Sequence, residues 1–455
     1  MRLSIALFLQ ASLLVTATTL EDLTACLRSA SVPIGSSLTS YNRRVPVKPI
    51  LVAAPTTVQH ISSAVSCGAK YGVNVNAKSG GHSYVSSGLG GEDGHLVINL
   101  DRMYAVTVAS DGTAKVQAVK NSVGIGGHAL HGGHGMVSRK HGFAMDWVKG
   151  ATVVLANGTI TRCSATERPN LFWGIRGAGS SMVVVAELEF NTFAAPERLT
   201  YFDIDLTWNT QKVAQVLFDT QEFAKGMPAE LTMAFTFNND GYYLHGAYVG
   251  DDAAFRTAIQ PLLTKLSVKV SSSKTVGWID FIKHYGDSDE IDITTPNYSE
   301  HDNSYASSLT TPALTKANLQ SLVDAIAKTG FSLSRTWFVH MNLHGGEKSA
   351  ISKPIDAAYA HRNKMLMFQF KDSALLSGTY PKDGYSFLQG LKQSITKNLA
   401  SSDWGMYANY PDSQLSSTDA PKLYYGSSLN RLEWIKEDYD PNDLFRDLQS
   451  VKPAE

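Results

Sequence analysis

Lys78-Ser79-Gly80-Gly81-His82-Ser83-Tyr84 is the stretch on which the fold of this chain turns. It follows a short β-type run at residues 73–77, so the two glycines fall in the loop that leaves a strand. Paired glycines have no Cβ to block an approaching ligand, and their N–H groups can converge on a phosphate. A lone loop histidine is ordinarily polar surface, and His82 gains meaning only from what stands elsewhere in the chain.

A second cluster stands downstream: Gly124-Ile125-Gly126-Gly127-His128-Ala129-Leu130-His131-Gly132-Gly133-His134-Gly135. Six glycines in twelve residues argue against an ordinary helix or strand, because glycine weakens both. The alternatives are a flexible loop, a metal site on His128, His131 and His134, or a close-packed nucleotide-binding loop. The metal reading lacks a nearby acidic or thiol ligand and the usual helical frame, so no metal is expected. The nucleotide loop accounts for the glycines better. Neither cluster is Gly-x-Gly-x-x-Gly opening a helix after a strand, so a Rossmann lobe is not supported.

The rest of the chain sets the frame. Its 455 residues are too many for one core of ordinary size and suggest two or three lobes. Lys+Arg 40 against Asp+Glu 41 leaves no global field to draw nucleic acid or an anionic membrane, and neither partner is expected. Strand-like runs at 96–100, 151–155 and 182–190 and a helical spacing at 58–71 predict an α+β or α/β first lobe. Strands at 231–237, 242–248, 336–343 and 364–370, with helices at 252–266 and 316–328, predict a sheet covered by helices. A tyrosine-rich strand, an amphipathic stretch at 429–436 and a helix stop at Tyr439-Asp440-Pro441 are read in the tail.

Residues 1–17 have the pattern of a signal peptide, one positive charge and then a short apolar stretch ending in small residues, so secretion is expected. In an oxidising compartment two of Cys26, Cys67 and Cys163 can pair, and Cys26 with Cys67 is the preferred pairing. Asn157-Gly158-Thr159 and Asn297-Tyr298-Ser299 are glycosylation sequons that gain meaning only if the chain is exported.

Ser79-Gly80-Gly81-His82-Ser83-Tyr84, the glycine-rich 88–95, the cluster at 124–135 and Asp146-Trp147 followed by Ala151-Thr152-Val153-Val154-Leu155 together resemble the berberine-bridge-enzyme-like branch of the vanillyl-alcohol oxidase superfamily. The similarity is closest to fungal gluco- and chito-oligosaccharide oxidases. Leu171-Phe172-Trp173-Gly174, Arg176-Gly177-Ala178-Gly179 and the tail from Asn430 to Gln449 continue it over nearly the whole mature chain. The resemblance implies an α+β, two-lobed fold: an FAD-binding lobe of the p-cresol methylhydroxylase type at 46–196 after an N-terminal segment at 18–45, a substrate lobe on an antiparallel sheet covered by helices at 197–402, and a C-terminal segment at 403–452 that returns to the FAD lobe.

By the same resemblance FAD is the cofactor, bonded to His82 and cradled by Ser79, Gly80, Gly81, Ser83, Gly126, Gly127, His128, Gly132, Gly133 and Asn409. Tyr84 and Tyr407 border the substrate, with His340 nearby, and Tyr410 of Tyr407-Ala408-Asn409-Tyr410 matches the base that takes the substrate's hydroxyl proton. The activity implied is oxidation of an oligosaccharide reducing end at C1 to a lactone, with oxygen reduced to peroxide, by a secreted monomer. A secondary-metabolite oxidase or cyclase and a non-catalytic relative are the alternatives.

Two departures stand out. The family has a Gly-Ala-Arg-x-Gly element, a helix and a His-Gly-Thr-Cys-Pro loop before its second glycine cluster, whereas Lys120-Asn121-Ser122 runs straight into Val123-Gly124 here. The cysteine of a second flavin bond falls in that missing segment, so no cysteinyl link is expected, and a gene model that lost an exon is favoured over a natural shortening. In the other departure, Asn342 occupies the place of the family's aspartate beside the base. An amide can orient a phenol but cannot take its proton.

Overall fold

The computed structural model describes residues 19–117, 123–286 and 300–455. The expected signal peptide, the junction before Val123 and the sequon at Asn297 therefore lie outside the described residues.

The first lobe is built on two small sheets. Strands β1 (Leu51–Ala53), β2 (Val75–Lys78) and β3 (Leu96–Asn99) form a parallel sheet in the order β1-β3-β2. Strands β4 (Val106–Val108), β5 (Ala114–Gln117), β6 (Val148–Val154), β7 (Ile160–Ser164) and β8 (Val184–Phe190) form an antiparallel sheet in the order β4-β5-β8-β6-β7. Helix α1 (Val58–Lys70) starts where the Thr57 hydroxyl accepts from the His60 N–H, and it buries Ile61, Ala64, Val65 and Gly68 on one face at helical spacing. Ile61, Ala64 and Val65 share a core with Val75, Leu96 and Ile98 of the parallel sheet and Val154, Val184 and Ala186 of the antiparallel one. Each large apolar side chain so buried contributes about 1.5–3 kcal/mol. A disulfide joins Cys67 to Cys26 in the preceding helix at residues 19–29, as the sequence reading paired them, and Cys163 is buried and free.

The second lobe is a seven-stranded antiparallel sheet made of β9 (Leu199–Leu206), β10 (Leu231–Asn238), β11 (Gly241–Tyr248), β12 (Ser272–Val276), β13 (Ser304–Thr311), β14 (Thr336–Asn342) and β15 (Leu366–Ser373), in the order β12-β9-β11-β10-β14-β15-β13. Side chains alternate across a strand, so each strand serves two faces. Phe235, Phe237, Val339, Met341, Phe368 and Phe370 point to the face covered by helices Val213–Gly226, Asp252–Leu266, Lys316–Thr329 and Lys382–Thr396, forming the largest core of the molecule. Thr236, His340 and Gln369 pair across β10, β14 and β15 on the other face, with His245, Phe338, Asn342 and Lys371 beside them. The α+β class and helix-covered antiparallel sheet expected from sequence are thus observed.

The tail crosses back between the lobes. Tyr407–Tyr410 is a turn closed by the Tyr410 N–H on the Tyr407 carbonyl at 2.9 Å, which corrects the expected tyrosine-rich strand. Its polar groups are claimed by the end of β13 instead: the Ser308 hydroxyl donates to the Tyr410 carbonyl and accepts from the Tyr407 N–H. Asp412, fully buried, accepts from Tyr305 at 2.6 Å and Ser307 at 2.7 Å in β13, and from Lys392 at 2.5 Å. Farther on, the Leu444 carbonyl accepts from the Val75 N–H at the edge of β2. Buried Lys436 and Asp440 pair at 2.6 Å beneath that contact.

Asp412→Ala leaves the Lys392 ammonium buried without its carboxylate and should cost about 3–5 kcal/mol in urea unfolding. A cost below about 1 kcal/mol would mean that the pair is solvated rather than part of the lobe junction.

Candidate functional site

The two glycine clusters meet backbone to backbone. Gly124 holds φ +77°, and a Cβ there would lie 2.3 Å from the Gly80 nitrogen. That approach, rather than loop flexibility, explains the glycine density. It also corrects the expectation that the cluster avoids regular structure, because Ile125–Leu130 is a short helix whose glycines are tolerated for the contact they allow. Gly132 is required for a related reason: at φ +123°, its Cβ would lie 2.9 Å from the Tyr407 ring.

Between the clusters lies a cavity of about 420 Å³. Its walls include Ser79, Gly80, Gly81, His82, Ser83, Tyr84, Gly126, Gly127, His128, Tyr407, Asn409 and Tyr410, so the sequence-derived cofactor residues and three tyrosines converge on one space. Gly132 and Gly133 stand one layer behind, where the Gly133 N–H donates to the Tyr407 oxygen. His340 and Asn342 do not line the cavity. They lie on the polar face of the sheet, and Tyr84 connects the two, its hydroxyl accepting from Gln369 at 3.0 Å. His340 is bonded to Thr236 at 2.8 Å, and Thr236 in turn to His245 at 3.0 Å.

His82 is half-buried, and among the described residues neither ring nitrogen carries a hydrogen bond. Burial is the largest influence on it and lowers its pKa, so the imidazole is neutral near pH 7 with a lone pair available. Ser83 braces the loop, its hydroxyl accepting from the Ser87 N–H at 3.2 Å and meeting the Ser87 hydroxyl at 2.8 Å. The histidines of the second cluster differ in how they are held, and the buried His134 Nε2 has no hydrogen-bond partner among the described residues. His131 bonds the Gly127 carbonyl and the Ser180 hydroxyl with its two nitrogens, and the His128 carbonyl accepts from the Asn409 amide at 3.2 Å.

The tail tyrosines differ in their surroundings. Burial raises the pKa of both. Three N–H groups oppose it at Tyr407, whose oxygen accepts from Gly133 at 2.9 Å, His134 at 3.2 Å and Asn409 at 3.0 Å. Tyr410, with its ring 5.0 Å from that of Tyr407, has no such donors among the described residues. The Asn342 amide donates to the Met367 carbonyl at 3.2 Å and makes no hydrogen bond to Tyr410, so the pairing read from the sequence is not formed.

Several lining residues escaped the sequence reading. Val183, Val184 and Val185, Tyr424, Tyr425 and Gln449 carry no local motif, since apolar walls look like any core. Tyr41 precedes the first lobe and was not connected with it. Asp447, its carboxyl pushed up to about 6 by burial, had no signal beyond its place in the tail.

An elongated diphosphate carrying an aromatic heterocycle fits this arrangement. Gly127 presents no Cβ to the cavity, and one placed there would meet nothing within 4 Å. Ser79, Gly80, Gly81 and Ser83 line the same cavity, the two glycines with no Cβ to block an approach to the backbone, and His82 brings a neutral nitrogen.

Comparison with known families and proteins agrees with this geometry. The family described as FAD binding domain matches residues 49–121 and 118–164, and that described as Berberine and berberine like matches residues 406–452. A chitooligosaccharide oxidase of Gibberella zeae is 49% identical, covering 95% of each chain, and the FAD-linked oxidoreductase dpmaF of Metarhizium anisopliae is 45% identical, covering 95% of this chain and 92% of that one. Among solved structures, a chitooligosaccharide oxidase superposes with a TM-score of 0.92 at 48% identity, covering 95% of this chain and all of that one. The glucooligosaccharide oxidase of Acremonium strictum, which carries a 6-S-cysteinyl, 8α-N1-histidyl FAD, superposes at 0.91 with 35% identity, covering 95% of this chain and 99% of that one.

Burial also sets a pH signature. It lowers His134, His340 and His361 to about 4, and His344 well below its usual value. The unfolded chain, with histidines near 6.5, therefore binds more protons, and stability should rise with pH from about 4 to 6.5 and level off above 7. Asp447 opposes this between about 4 and 6. At pH 5.5 these five groups alone should take up roughly three protons on unfolding in urea, and the lowered imidazoles of His82, His95, His128, His131, His141 and His245 add to that uptake. A stability profile that is flat from pH 5 to 7 would show these imidazoles to be solvated.

Proposed function

The chain belongs to the berberine-bridge-enzyme-like branch of the FAD-linked oxidoreductases in the vanillyl-alcohol oxidase superfamily, and from that membership we propose that it oxidises an oligosaccharide reducing end at C1 to a lactone, with dioxygen reduced to hydrogen peroxide. The observation that carries this is the convergence of His82, Tyr84, Tyr407 and Tyr410 on one cavity, in a chain that aligns with an oligosaccharide oxidase over 95% of its length.

Bound FAD supplies a two-electron acceptor that dioxygen can reoxidise. His82 holds it through a nitrogen–carbon bond, while the Ser79–Ser83 backbone, Gly126, Gly127 and the Asn409–His128 contact form the cradle. Tyr84 offers an aromatic face to a sugar ring at the junction with the sheet, and His340 and its polar neighbours extend that surface. Tyr410, as the phenolate, would take the hydroxyl proton as hydride leaves the same carbon, and so return to the neutral phenol. Burial opposes the ionised form at both tail tyrosines, while the three N–H groups on the Tyr407 oxygen favour it there, so Tyr407 is the tail phenol that ionises more readily. Asn342 orients by hydrogen bonding and moves no proton.

The bond to His82 is the single covalent attachment. Two findings support a missing segment that would have held a second: the FAD-binding match comes in two pieces that meet at residues 118–121, and the alignment to the Gibberella oxidase spans 466 positions, more than the 455 residues of this chain. The apolar N-terminal stretch and the Cys26–Cys67 disulfide support an exported enzyme, taken to be a monomer. A second reading, an oxidase of secondary metabolism, draws on the 45% identity to dpmaF and on Asn342 standing away from Tyr410, since a fold does not fix a substrate.

Acid precipitation of the purified protein should leave yellow colour in the pellet, and His82→Ala should release it. Peroxide should then appear with chito-oligosaccharides or cellobiose, and Tyr410→Phe should lower kcat by ~10²-fold or more while the flavin stays bound. A yellow pellet without peroxide from any sugar would favour the second reading, and a colourless protein would exclude an oxidase.

A further inference from the structure

His82 poses a problem of aim. A nucleophilic nitrogen must present its lone pair in the ring plane, and a displacement of about 1 Å can cost ~10²-fold in rate. No hydrogen bond orients this imidazole among the described residues. Among the described residues its one ring contact is with Tyr41, the two centroids 4.4 Å apart at an interplanar angle of 31°. Tyr41 also lines the cavity.

We propose that Tyr41, in the segment ahead of the FAD lobe, is a positioning residue whose ring aims the His82 imidazole for its bond to the flavin. The inference rests on the reading of His82 as the attachment point. Tyr41 suits the task because Asp302 holds the chain at the Tyr41 carbonyl and again two residues on. Its carbonyl accepts from the Asp302 N–H at 2.9 Å, and the Arg43 N–H donates to the Asp302 carbonyl at 2.6 Å.

Asn42, fully buried, completes the clamp. Its amide nitrogen donates to the carbonyls of Tyr84 at 2.7 Å and Ser304 at 2.8 Å, and its oxygen accepts from the N–H groups of Ser304 at 3.1 Å and Arg44 at 3.2 Å. Four bonds use the whole capacity of the carboxamide. The loop that bears His82 is thereby tied, two residues on, to β13 of the large sheet. Tyr41 and the loop are referred to the same strand.

The hydroxyl of Tyr41 is not the working part. Burial, with Asp302 and Glu300 nearby, raises its pKa to about 12, so it stays protonated and offers a ring face rather than a base. The step served is balanced as follows: a C–N bond forms between an imidazole nitrogen and the 8α carbon, that carbon and the imidazole each give up a proton, two electrons enter the isoalloxazine, and dioxygen removes them as hydrogen peroxide. The imidazole contributes its in-plane lone pair, whose direction a ring packed against it controls.

The test measures the share of flavin that remains with acid-precipitated protein against the share released, together with the unfolding temperature, in the wild type, Tyr41→Phe and Tyr41→Ala. The expected result is wild-type attachment in Tyr41→Phe and a share reduced ~ten-fold in Tyr41→Ala, with flavin bound but released by acid and the unfolding temperature unchanged. Wild-type attachment in Tyr41→Ala, an equal loss in Tyr41→Phe, or an Ala variant that folds without binding flavin would each overturn the proposal. If Tyr41→Ala does not fold, Tyr41→Leu is read by the same criteria. Wild-type protein releasing all of its flavin would instead overturn the reading of His82, and this inference with it.

Discussion

One buried carboxylate sets the relation of the tail to everything around it. Asp412 draws two hydroxyls from β13 and the ammonium of Lys392 onto a single group. Burial works against its charge, but Lys392 and the donors outweigh burial and keep its pKa below the ordinary range. Its backbone is held as well, the N–H by the Tyr424 hydroxyl and the carbonyl by Gln449. The turn from Tyr407 to Tyr410 ends two residues earlier, so its tyrosines can shift only if this knot loosens.

The other wall of the cavity depends on shape. Gly124 lets the second cluster press on Gly80, and Gly132 lets it pass the ring of Tyr407. Arg139, a little farther on, is fully buried with no carboxylate partner among the described residues and donates instead to the carbonyls of Leu231 at the start of β10 and of Met227, His344 and Gly345 in the large sheet's loops. Five N–H donors in a fixed fork suit such a cluster of carbonyl oxygens. Charge at Asp412, glycine at the cluster and guanidinium at Arg139 thus join segments far apart in the chain.

How much of this could be read beforehand depended on whether the signal was local. Helix α1 announced itself through the spacing of Ile61, Ala64, Val65 and Gly68, and β10 and β14 through bulky residues suited to strands. Strand β13 did not. Ser304-Tyr305-Ala306-Ser307-Ser308-Leu309-Thr310-Thr311 is buried on both faces, yet its serines resemble a loop because what they satisfy, Asp302, Asp412 and the tail turn, lies outside the strand. Likewise, the glycine cluster read as irregular contains a helical turn, since the contact that stabilises it comes from another segment.

From the sequence alone came the family, the α+β class, the Cys26–Cys67 pairing and twelve of the residues around the cavity, because glycine next to histidine and paired tyrosines are chemical signals that survive in one dimension. Which of them act together was settled only in three dimensions. Asn342 and Tyr410 are partners in the family pattern and are not bonded in the fold, because the register of β14 on β15 gives the amide to Met367. Tyr41 was silent in the sequence and touches His82, because Asn42 fastens its segment to a strand more than 250 residues away. Composition and spacing report what a residue can do, whereas long-range hydrogen bonds and close packing decide what it does it to.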